Sequence, residues 1–125
     1  MKRKIAVFTG NRAEYGLQVP ILRAIDKHPE LDYFLIVSGA HLDSNFGKTI
    51  DEIKEDGFKI GAAIELKEGG EDLFSTAYSI GEGVTKITEI INIYKPDIFL
   101  VYADRFETFS AAIASSQTNT VTATT

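Results

Sequence analysis

The sequence predicts a doubly wound α/β domain on a parallel sheet, and three observations carry that expectation. The apolar runs IAVF (5–8), FLIV (34–37) and IFLV (98–101) are continuous rather than alternating, which fits strands covered on both faces. Between them lie longer stretches whose apolar residues recur at spacings of three and four, the helical period. The two kinds alternate along the chain, and parallel neighbours need such a crossover between them.

Each element has its own reason. The first strand is IAVF. The stretch GLQVPILRAIDKHPE then places Leu17, Ile21, Leu22 and Ile25 on one helical face, with Pro20 in the first turn and Pro29 at the exit. FLIV is the second strand. A short helix over 48–55 follows, stopped by Asp56-Gly57, and 58–66 reads as a third strand. KEGGED is a turn. The longest helix spans 72–94, where Leu73, Ala77, Ile80, Val84, Ile87, Ile91 and Tyr94 form one stripe that Lys95-Pro96-Asp97 ends. IFLV precedes a last helix, ETFSAAIASSQ, with Phe109, Ala112 and Ile113 expected to face inward. The closing TNTVTATT is strand-forming around Val121. It reads as a chain stopping in the middle of a fold, with no closing helix.

Composition narrows the function. With 125 residues, 44% hydrophobic and 25% charged, the chain has the make-up of one globular domain with a real core. A net charge of −5 argues against a broad nucleic-acid or anionic-membrane surface, which needs clustered Lys and Arg. No stretch reaches the roughly 20 apolar residues of a membrane span. There is no cysteine, hence no disulfide, thiolate metal site or cysteine nucleophile. The basic MKRK precedes a strand-like run too short for a signal peptide, so the expected location is cytoplasmic.

Ligands of open parallel sheets sit beyond the carboxyl ends of the strands. Three polar clusters fall there: TGNRAEYG (9–16), SGAHLDSNFG (38–47) and YADRFE (102–107). In the first, Gly10-Asn11 fits a tight turn and Arg12 a surface charge paired with Glu14. Alternatively, backbone N–H groups at a helix start and the Arg12 guanidinium hold a pyrophosphate. The second closely spaced glycine of the dinucleotide fingerprint is absent, so NAD and FAD are disfavoured. His41 reads as a structural hydrogen-bond partner or a catalyst. His28, beside Pro29, sits at a helix end whose dipole favours it. Asp104 fits a helix N-cap as well as a carboxylate acid/base with Arg105 tuning it and holding an anion. Spacing alone leaves these pairs open.

Taken together, FTGNRAEYGLQVPILRAI, IVSGAHLDSNFGKTIDEIKEDGF and KPDIFLVYADRFETFSAAIASSQ resemble the hydrolysing UDP-N-acetylglucosamine 2-epimerases, in order and with their spacings intact. The resemblance implies the N-terminal, Rossmann-like half of a glycosyltransferase-B-like fold. It implies elimination of UDP to a 2-acetamidoglucal, then addition of water to give N-acetylmannosamine for sialic or nonulosonic acid synthesis. By resemblance Asp104 is the acid/base near the sugar C2. Gly10, Arg12 and Arg105 contact the nucleotide or ligand, and His41 borders the cleft. No metal and no redox cofactor is implied. The expected partners are a UDP-sugar and further copies of the chain in a homo-oligomer.

Two departures stand out. Ala103 replaces the glycine usual before the Asp-Arg pair. After Asn119 the tail leaves the family pattern, with Thr124 where a histidine is expected. On this basis the expectation is one N-terminal domain, 1–125, lacking the second domain that grips most of the UDP. Rival readings are an epimerase for a UDP-diacetamido-trideoxy sugar of the bacillosamine type, a non-catalytic binding or assembly domain, and a flavodoxin-like module in which Asp104 only caps a helix. Non-hydrolysing epimerases are disfavoured by DRFE and NRAEYG.

Overall fold

A computed structural model of the chain describes residues 2–10, 12–38, 49–65, 73–101 and 106–124, without the side chains of 12, 13, 73, 106–108 and 124. Among these residues nine elements run in strict alternation: β1 (Arg3–Thr9), α1 (Arg12–Lys27), β2 (Leu31–Ser38), α2 (Thr49–Glu55), β3 (Ile60–Ile64), α3 (Leu73–Tyr94), β4 (Ile98–Val101), α4 (Phe106–Gln117) and β5 (Val121–Thr124). The strands form one parallel sheet in the order β3-β2-β1-β4-β5. This is the doubly wound α/β class that the alternation predicts.

The sheet separates two cores, because successive side chains of a strand point to opposite faces. Ala6, Phe8, Phe34, Ile36, Phe99 and Val101 face α3 and α4, where they meet Ile87, Ile91, Ala111 and Ala114. Ile5, Val7, Leu35, Val37 and Leu100 face α1 and α2, where they meet Tyr15, Leu22, Ile25 and Ile53. The continuous apolar runs of β1, β2 and β4 follow from this two-sided burial.

Three helix faces differ in part from their expectation. α1 begins a turn earlier than the apolar pattern suggests, so Pro20 lies inside it rather than in its first turn. Pro20 is exposed. The inward face is Glu14, Tyr15, Gln18, Leu22 and Ile25, whereas Leu17 is 59% exposed. In α4, Phe109 is 57% exposed, and the small residues Ser110, Ala111, Ala114 and Ser115 point inward. Their size lets α4 approach α3, where the Ser110 hydroxyl donates to the Ile80 carbonyl at 2.9 Å. The outer part of the α3 stripe is exposed too, at Ala77.

The helix ends follow the punctuation. Gly57 takes φ +84° after α2, Lys95 φ 48° after α3 and Asn119 φ 60° after α4. His28 lies just past α1, and its Nδ1 accepts the Glu30 N–H at 3.1 Å. β3 carries a bulge: Leu35 pairs with Ile60 but Ile36 with Ala62, so Gly61 is the extra residue. Only glycine fits, since a Cβ there would lie 2.6 Å from Cδ2 of Phe34.

Candidate functional site

The strand order reverses between β1 and β4. From β1 the chain winds outward through α1 to β2, and from β4 it winds the other way through α4 to β5. Connections leaving in opposite directions open a crevice at the carboxyl ends of the two strands. β1 and β4 pair directly through Ile5–Ile98, Ala6–Phe99 and Val7–Leu100, so those ends are neighbours. β2 flanks β1 on its other side, with Thr9 opposite Val37.

These ends lead into all three polar clusters. Gly10 follows β1, Ser38 ends β2 and Val101 ends β4. Arg12 opens α1 by its backbone, with its side chain outside the described residues. His41, Asp104 and Arg105 lie outside the described residues altogether. The structure therefore brings together the strand ends that carry the sequence-predicted residues, and of those residues it describes Gly10 in full. The Ser38 hydroxyl at this edge is fully buried with no hydrogen-bond partner among the described residues.

The start of α1 is built around buried polar groups. The Gly10 N–H donates to Oε2 of Glu14 at 3.2 Å. The Arg12 side chain, expected to pair with Glu14, lies outside the described residues, and Glu14 itself is 2% exposed. Its carboxylate sits in the first turn of α1, where the positive end of the helix dipole favours an anion. One turn on, Nε2 of Gln18 donates to the Phe8 carbonyl at 2.9 Å, and Gln18 is 1% exposed. Two side chains of one helix thus hold the backbone at the end of β1 and just beyond it. Sequence reading missed both, since it assigns inward positions to apolar residues. The available signal was the spacing: a glutamate in the first helical turn, four residues after Gly10, is close to a capping-box arrangement.

A second tie joins α1 to the turn after α2. The Tyr15 hydroxyl donates to the Asp56 carboxylate at the turn closing α2. Burial first, then the hydrogen bond to Asp56, push the Tyr15 phenol well above its ordinary range. The Tyr15 ring meets Phe58 edge-on at 6.1 Å, and the Arg23 guanidinium covers Phe58 at 4.9 Å. α1 is fixed in this way to α2, the helix that follows the 39–48 segment.

Among the described residues no three His, Cys, Asp or Glu side chains gather as a metal site, and no helix is long and apolar enough to cross a membrane. An open hollow of about 590 Å³, lined by Thr88, Asn92, Lys95, Asn119 and Val121, lies at the opposite, amino edge of β4 and β5. It is remote from the crevice.

Comparison with known proteins decides the family. The model of the UDP-N-acetylglucosamine 2-epimerase family matches residues 23–123. The chain belongs to this family. A Legionella pneumophila relative, "UDP-N,N'-diacetylbacillosamine 2-epimerase (hydrolyzing)", is 37% identical over 95% of this chain and 32% of its own length. An Escherichia coli relative, "Polysialic acid biosynthesis protein P7", is 32% identical over 94% of this chain and 30% of its own. The chain spans about a third of the length of these curated relatives. The Methanocaldococcus jannaschii UDP-GlcNAc 2-epimerase, solved with UDP-GlcNAc and UDP, superposes with a TM-score of 0.80 at 21% identity, covering 97% of this chain and 32% of that one. This is a likeness of fold, that of the parallel α/β sheet described above.

Proposed function

We propose that this chain is the N-terminal, Rossmann-like domain of a hydrolysing UDP-N-acetylglucosamine 2-epimerase, with the UDP-sugar in the crevice between β1 and β4. The observation that carries the reading is the reversal of strand order. It sets the end of β1, which leads into Arg12, beside the end of β4, which leads into Asp104 and Arg105. Membership of the epimerase family supports it.

In this reading Asp104 takes the weakly acidic C2 proton of the sugar, the C1–O bond to UDP breaks, and a 2-acetamidoglucal forms. Water then adds across the double bond to give N-acetylmannosamine. A positioned carboxylate serves the proton transfer, and the guanidinium groups of Arg12 and Arg105 support the departing diphosphate. His41 borders the cleft. The enzyme works in the cytoplasm and feeds sialic or nonulosonic acid synthesis, in keeping with the name of the Escherichia coli relative.

A second substrate, a UDP-diacetamido-trideoxy sugar of the bacillosamine type, is favoured by one observation: the 37% identical relative carries that activity in its name. Both sugars are therefore offered to the protein expressed from its whole reading frame, and UDP release and the freed sugar are measured. Turnover of one sugar, abolished by Asp104→Asn with the melting temperature unchanged, supports the reading. Asn caps a helix as well as Asp. Turnover that survives Asp104→Asn, or no UDP release from either sugar, overturns it.

A further inference from the structure

We draw no further inference here: the strongest candidate, the surface patch on the outer side of α3 and α4 where Phe74, Tyr78 and Phe109 are exposed, carries nothing because nothing in the structure shows what covers it.

Discussion

Tyr15 donates its phenolic hydrogen to Asp56, a residue 41 positions further along the chain, and the bond joins α1 to the turn that ends α2. Burial and this acceptor both favour the neutral phenol in the folded state. A group whose folded pKa is raised contributes stability that is complete below its unfolded pKa and is lost as pH rises toward the folded value. The unfolded phenol titrates near pH 10, so the loss begins at about pH 10 and continues upward. Alkaline unfolding followed by circular dichroism should show a steeper fall above pH 10 in wild type than in Tyr15→Phe. Equal slopes would remove Tyr15 as the cause.

At neutral pH the same substitution should be mild. Phenylalanine keeps the edge-on contact with Phe58, and Asp56 is exposed and regains water. The expected cost is about 1–2 kcal/mol, read as a lower urea midpoint with an unchanged slope.

Gly61 and Gly81 should respond to alanine in opposite senses. At the β3 bulge the new methyl would meet the Phe34 ring, whose Cδ2 is 2.6 Å from the Cβ position, and overpacking costs about 1–3 kcal/mol. In the exposed middle of α3, Gly81 has nothing within 4 Å of that position. Gly81→Ala should stabilise by about 0.5–1 kcal/mol through helix propensity. Thermal melts of the two variants check both signs, and a stabilised Gly61→Ala would show that the bulge relaxes.

Phe99 is fully buried in β4, in the cluster that joins Phe8 to α3 and α4. Phe99→Ala should cost about 3–5 kcal/mol, a large share of the roughly 5–15 kcal/mol that a domain has. Equilibrium denaturation would register this as partial or complete loss of the folded population. A cost under about 1 kcal/mol would mean that the core collapses around the gap.

The strands were the most legible part of the sequence. Runs such as IFLV carry their two-sided burial in composition, and β4 occupies those same four residues. α2 and α3 came within a residue of their expected bounds because Gly57 and Pro96 punctuate them. The inward faces of α1 and α4 did not read correctly. Hydropathy sends polar residues outward, but Glu14 and Gln18 are drawn in by backbone groups at the end of β1, and Ser110 by the Ile80 carbonyl. Leu17 and Phe109 were counted inward on apolarity alone. Pairings such as Tyr15 with Asp56 are set by how α1 and α2 lie against the sheet, which no local pattern encodes. Which strand ends lead into the three polar clusters was legible from the sequence, and the adjacency of β1 and β4 came only with the strand order.

The two-sided sheet has a mechanical consequence. The wall of the crevice that begins α1 is anchored in the α1–α2 core, and the wall that begins α4 is anchored in the α3–α4 core. Each wall rides on its own hydrophobic layer, and among the described residues the two layers lie on opposite faces of the sheet. A substitution that softens one layer, at Leu22 for instance, would let one jaw of the crevice drift while the other keeps its place. Grip on the two ends of a bound molecule could then be tuned separately, by packing changes far from either jaw.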